Sequence, residues 1–246
     1  MVAWYPACRS PENTLSFRKI GRMSKKPRIV LLHGTPVAIE PIQRAFTTRW
    51  PEAEPVDLLD ASLSIDRARD HDLTPRMFER FVELGGYAHR LGAEAILVTC
   101  SAFGPAIERM ARELPVPVLK PNEAMFREAI GRGRRIGMLA TFAPSVLTMT
   151  EEFEQFVGEA GGEADGGATL ETIVVEGAMD ALRKGDADRH NALIAARAPE
   201  LAHCDAIMLA HFSTSRALAA VTAAVATPVL TAPDAAVDRI RAAIGG

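Results

Sequence analysis

The 246-residue chain predicts an α/β protein of two pseudo-symmetric lobes, each a mostly parallel sheet flanked by helices, with an active site in the cleft between the lobes. Three observations carry this. Short, continuously apolar runs alternate with helical periods along the chain, which is how parallel strands buried on both faces read. The second half repeats the first: residues 95–125 align without gaps on 206–236 at an offset of 111, pairing AILVTC with AIMLAH and PVL with PVL. Residues 28–32 align on 135–139 at an offset of 107. Ala-rich segments align easily, so the force lies in the same order of elements recurring at nearly one offset.

In chain order, strands are expected at 28–33 (RIVLLH), 55–59, 95–100 (AILVTC), 116–119, 135–140 (RIGMLA), 170–175 (LETIVV), 206–211 (AIMLAH) and 228–231. Each is short, apolar and closed by turn formers. Helical periods lie at 75–91, 105–113, 123–132, 144–160, 177–184, 187–203, 215–225 and 235–244. Pro105 and Pro144 fall in first turns, where a missing amide costs nothing. Residues 1–26 show no periodicity and read as a disordered or mis-assigned leader, so a chain beginning at Met23 is expected to keep its stability and activity. The first lobe is expected to take 27–121 plus 232–246 and the second 122–231, with the crossover near GRGRR at 131–135.

Composition excludes several classes of function. A net charge of −3 leaves no electrostatic footprint for nucleic acid. The longest uncharged apolar stretch, 217–231, is too short for a membrane span, which needs roughly 20 residues. Three scattered cysteines make no disulfide framework and no metal spacing, and the start lacks signal-peptide character, so a reducing cytoplasm is expected. No Gly-rich phosphate loop or nucleophile elbow is present, so no nucleotide cofactor and no metal are expected.

In parallel α/β sheets, ligands sit beyond the carboxyl ends of strands. The ends Gly34-Thr35, Cys100-Ser101, Thr141-Phe142 and His211-Phe212 should therefore converge. Cys100 ends a buried strand and precedes a helix, whose N-terminus would stabilise a thiolate. Cys204 reads as a core residue, and Cys8 falls in the leader. The internal repeat places His211 opposite Cys100, which lifts it above an ordinary structural histidine. His33 also points toward the cleft mouth, whereas His71, His89, His190 and His203 read as surface or capping residues. Thr35, Ser101, Thr141, Ser213, Thr214 and Ser215 all follow strands. Each could be a helix cap, yet together such turns make an anion pocket suited to a carboxylate. Asn122 reads as a cap.

On ILVTCSAFGPAIE (96–108), RIGMLATFAPS (135–145) and DAIMLAHFSTS (205–215), the chain resembles the aspartate/glutamate/hydantoin racemase superfamily from about residue 27 onward. The resemblance implies two α/β lobes and a cofactor-independent site between them, with one cysteine after a strand in each lobe facing opposite sides of the substrate's α-carbon. Cys100-Ser101 matches the first motif. At the second, His211 stands where cysteine is usual and Phe212 where threonine is usual. Thr141 matches a threonine that contacts the substrate carboxylate, and Thr35 is a looser match for the polar residue after the first strand. Single-cysteine relatives include arylmalonate decarboxylases, whose thiol lies in the second lobe.

The chain is thus expected to be a racemase or epimerase of a small carboxylate-bearing substrate (amino acid, hydantoin or related acid). Cys100 would abstract or return the α-proton. Thr35, Ser101, Thr141 and Ser213, with the amides of Ala102 and Phe212, would hold the carboxylate and the enediolate. The alternatives are a Cys100 nucleophile activated by His211, giving cis–trans isomerisation, decarboxylation or hydrolysis, and a non-catalytic carboxylate-binding protein. The partner implied is a small molecule, and a homo-oligomer is common in such families.

Overall fold

The computed structural model describes residues 26–70, 72–161 and 167–245. Residues 1–25 of the leader and His71 therefore lie outside the described residues. The first half runs β1 (Arg28–His33), α1 (Ile39–Arg49), β2 (Glu54–Leu59), α2 (Ser62–Arg69), α3 (Pro75–Arg90), β3 (Ala95–Val98), α4 (Gly104–Glu113) and β4 (Val118–Leu119). The second runs α5 (Glu123–Arg132), β5 (Arg135–Ala140), α6 (Val146–Glu159), β6 (Thr169–Val174), α7 (Ala178–Arg183), α8 (Ala187–Arg197), β7 (Ala206–Leu209), α9 (Leu218–Ala224), β8 (Val229–Thr231) and α10 (Ala232–Ala243). Two sheets result, ordered β2-β1-β3-β4 and β6-β5-β7-β8. Every strand pair is parallel.

All eight expected strands form. Two helices, α1 and α2, arise where none was expected. In α1, Pro41 and two threonines mask the stripe of Ile42, Ala45 and Phe46 that the helix buries. The eight residues of α2 bury only Leu63, Ser64 and Arg67, too little apolar content to show a period. The runs 95–100 and 206–211 also leave the ladder early, at Val98 and Leu209, because each turns into a 3-10 segment.

Side chains alternate along each strand and so feed three cores. Ile29, Leu31, Ala95 and Leu97 of the first sheet join Ile136, Met138, Ala206 and Met208 of the second in one central layer, filled by the apolar faces of α1, α5, α6 and α10. The opposite face of the first sheet (Val30, Leu32, Ile96, Val98) packs under α3 and α4. That of the second (Leu139, Ile207, Leu209) packs under α8 and α9. Burying a side chain of this size from water contributes roughly 1.5–3 kcal/mol, so continuous aliphatic runs are selected on every inner strand. Since α10 packs on both α1 and α5, the last helix ties the two halves together.

The repeat keeps its register where it matters. The last β1–β3 pair is Leu32 with Val98, and the last β5–β7 pair is Leu139 with Leu209. Cys100 and His211 each stand two residues beyond, at equivalent places on the two sheets.

Candidate active site

A small pocket opens where the carboxyl ends of the inner strands meet, and both Cys100 and His211 line it. Thr35, Ser101, Phe212 and Ser213 line it too, as the strand-end argument expected. Two expected contacts stand elsewhere. Thr141 does not line the pocket; its amide and hydroxyl lie 3.4 and 3.3 Å from Nδ1 of His211. Ala102 is not a lining residue either, and its backbone N–H donates to the Cys100 sulfur. Both stand behind Cys100 and His211 and hold them in place.

Each wall has a local cause. After Cys100 the chain enters a 3-10 turn, Ser101–Phe103, and Phe103 anchors it by stacking on Phe81 at 4.4 Å between ring centroids. After His211 the 3-10 segment Phe212–Ala217 is held by a capping box: Thr214 Oγ1 accepts from the His211 amide at 2.9 Å. Gly34 passes so close behind Cys100 that an added Cβ would lie 3.3 Å from the sulfur. Two arginines bridge the halves beside the pocket. Arg67 of α2 donates to the Pro144 carbonyl at 3.3 Å, and Arg216 pairs with Glu40 of α1 at 2.6 Å.

Electrostatics reverse one expectation. Burial pushes the Cys100 thiol up to about 11, outweighing the Ala102 N–H and the positive charge of Arg67 that favour a thiolate. Desolvation wins because the Ala102 N–H and the Arg67 charge replace only part of the water lost around sulfur. The resting thiol is therefore protonated at neutral pH. Burial, aided by the charge of nearby His190, holds His211 down at about 4, so its imidazole is neutral. Ser145 Oγ donates to the Phe142 carbonyl at 2.8 Å and lies 2.7 Å from His211 Nε2. A hydroxyl has one proton, so Nε2 must donate to Ser145, and the lone pair sits on Nδ1.

His33 is fully buried beneath the pocket rather than at its mouth. Its Nε2 meets Asp57 Oδ1 at 2.9 Å and its Nδ1 meets Thr99 Oγ1 at 2.7 Å, so it touches the site only through Thr99, which lines it. His190 is likewise fully buried, not a surface residue. Cys204 is a core residue, as expected. The cap role for Asn122 does not hold. Its backbone is helical where a cap needs an extended one, its side chain makes no cap bond, and it lines the pocket.

Sequence reasoning missed Ser64, Ser145, Met179 and Arg183, which also line the pocket. Ser64 sits on the unrecognised α2, and Ser145 stands well past the end of β5, on the turn that leads into α6. The last two ride on α7, where no local signal marks them. Among the described residues, one group of donors suits a metal ion: Glu171, His203 and Cys204, within 4.8 Å of one another and not part of the pocket.

The sequence matches the Asp/Glu/Hydantoin racemase family over residues 34–158. Comparison with curated proteins gives no match. Among solved structures, glutamate racemase from Thermus thermophilus in complex with β-chloro-D-alanine is similar at TM-score 0.66 and 21% identity, covering 88% of this chain and 80% of that one. An aspartate racemase homologue from Pyrococcus horikoshii reaches 0.64 at 14% identity, covering 89% and 99%. Allantoin racemase from Klebsiella pneumoniae reaches 0.61 at 14% identity, covering 88% and 87%. At these identities the structural likeness establishes the fold alone. Joined to a family match that spans half the chain and includes Cys100, it makes this protein a member of the Asp/Glu/hydantoin racemase family.

Proposed function

We propose that the protein is a cofactor-independent isomerase of racemase or epimerase type, acting on a small carboxylate-bearing substrate. The observation that carries the reading is the pairing of Cys100 and His211 in one small pocket at equivalent strand ends. Their resting protonation states are complementary: the thiol holds a proton and the imidazole lacks one. In one direction, Nδ1 of His211 exchanges its long 3.3–3.4 Å contacts with Thr141 for the substrate and takes the α-proton, and the electron pair moves into the carboxylate, giving an enediolate. The Cys100 S–H then delivers its proton to the opposite face, leaving a thiolate and an imidazolium. The reverse direction starts from that pair, and proton exchange with solvent resets it.

The rest of the pocket suits the developing charge. Hydroxyls of Thr35, Ser101 and Ser213 and the Phe212 amide serve the carboxylate and the enediolate. Donors fixed before the reaction lower the barrier most. Thr141 and Ser145 hold the imidazole ring in one orientation, and the Ala102 amide stabilises the thiolate once it forms. Acid–base work by positioned groups adds about 10²–10⁴-fold.

Proton NMR in D₂O on a panel of chiral acids tests this. Inverted product should carry one solvent deuterium at the α-carbon. Cys100→Ser should stop inversion, and His211→Ala should stop inversion and, with the thiol protonated, α-exchange as well at neutral pH. Inversion undiminished in Cys100→Ser would overturn the reading, as would a covalent Cys100–substrate adduct by mass spectrometry.

A further inference from the structure

Asn122 is 1% exposed, lines the pocket, and neither its Oδ1 nor its Nδ2 has a hydrogen-bond partner. A buried primary amide with both ends unpaired is rare, because each end keeps the desolvation cost of a missing bond. The amide is thus set to meet a group that offers both an acceptor and a donor. Several lining hydroxyls are already committed: Ser64 donates to the Ala61 carbonyl at 3.2 Å, Ser145 to that of Phe142, and Thr99 is tied to His33.

The charge pattern of the lining is one-sided. No described residue that lines the pocket is Asp or Glu, and its one permanently charged residue is Arg183, exposed at the rim. The nearest carboxylate along the hydrogen-bond chain, Asp57, is screened from the pocket by His33 and Thr99. An anionic carboxylate finds hydroxyls and a guanidinium here. An α-ammonium finds no counter-charge, and a buried cation without one is strongly disfavoured.

We infer that the site takes an open-chain carboxylic acid bearing a neutral amide or ureide group in place of an ammonium, and that Asn122 reads that group through a paired donor and acceptor contact. The inference rests on the proposed isomerase reading for what happens next to that ligand, but the binding claim stands on the pocket itself. It makes Asn122 a specificity residue and sets this chain apart from enzymes of free amino acids.

The experiment compares three acids of one carbon skeleton: alanine, lactate and N-carbamoylalanine, each as both enantiomers. Readouts are the melting temperature, the rate of Cys100 alkylation at pH 9, and α-deuteration in D₂O. N-carbamoylalanine should raise the melting temperature and slow alkylation, whereas alanine at the same concentration should do neither. Asn122→Leu should weaken the response to the ureido acid at least tenfold with the fold intact. Asn122→Asp, which keeps the shape, should weaken it too and admit alanine. Alanine binding as well as the ureido acid, no response to any of the three, or an unchanged response in both variants would overturn the inference. Binding of the ureido acid without deuteration would leave the inference standing and sink the isomerase reading. Deuteration of alanine alone would do the reverse.

Discussion

The hydroxyl of Ser145 fixes the tautomer of His211. Its one proton goes to the Phe142 carbonyl, so it receives the Nε2 proton of the imidazole at 2.7 Å and leaves Nδ1 as the basic nitrogen. A serine on the turn after one strand thereby decides which atom of a residue beyond another strand carries a lone pair. The orientation is set before any ligand arrives.

That arrangement has a pH signature. The folded protein holds His211 near 4, below the ordinary value of 6.5, so the unfolded chain takes up a proton first as pH falls. The stability that the neutral ring contributes is complete above about pH 6.5 and is lost as pH drops toward 4, by at most about 3 kcal/mol. Urea unfolding of wild type and His211→Asn across pH 7 to 4 should show their difference shrinking by that order. A constant difference would mean that the ring protonates freely in the folded state.

Cys100 should behave as a weak acid in the free protein. With its thiol pushed up to about 11, iodoacetamide should label it slowly at neutral pH and ever faster toward pH 11, as read by peptide mass mapping. Cys100→Ser should cost orders of magnitude in turnover and almost nothing in melting temperature, since the side chain keeps its size. Fast labelling at pH 7 would contradict the burial that sets this value.

Gly34→Ala should act on the same thiol without touching it chemically. The new methyl would sit 3.3 Å from the sulfur and 3.4 Å from the Cys100 Cβ, so the thiol must shift by a few tenths of an ångström. Turnover and alkylation should both fall, by about tenfold, because reacting groups tolerate little displacement. A drop in the thermal melt without loss of turnover would place the clash elsewhere.

Glu152 of α6 offers a test away from the pocket chemistry. Burial, with the charges of Glu123 and Glu108, lifts its carboxyl to about 7, although Lys120 pulls the other way. A raised acid contributes stability below its ordinary 4.5 and loses it as pH climbs to 7, so at pH 8 the chain carries a buried carboxylate. Glu152→Gln should therefore gain about 1–3 kcal/mol at pH 8 and almost nothing at pH 4.5, measured by chemical unfolding. A loss at pH 8 would show that the 3.9 Å pair with Lys120 outweighs the burial.

Much of the fold is legible in the chain itself. Strands such as RIVLLH and AIMLAH are aliphatic throughout because both faces of each sheet are covered, and their repeat alone puts Cys100 and His211 at matching steps. What stays hidden depends on neighbours distant in sequence. Thr141 lies 70 residues from the imidazole it approaches. The direction of the Cys100 shift turns on how tightly Gly34 and the lobe interface enclose it, not on the helix that follows. Asn122 looks like a cap because it precedes a helix, and only the folded chain shows its helical backbone and its missing cap bond.

The register that sets Cys100 against His211 also bears on ancestry. A half-length chain with one such sheet would keep α1 but lack α5, α6 and α10 over the apolar layer of Ile29, Leu31 and Leu97, and two copies would complete that cover by pairing about a twofold axis. Such a dimer has no freedom at its axis: whatever stands at the end of one central strand stands at the end of the other. Joining the copies in one polypeptide lifts that constraint, and a sulfur acid facing a nitrogen base is a combination that only the joined form can hold.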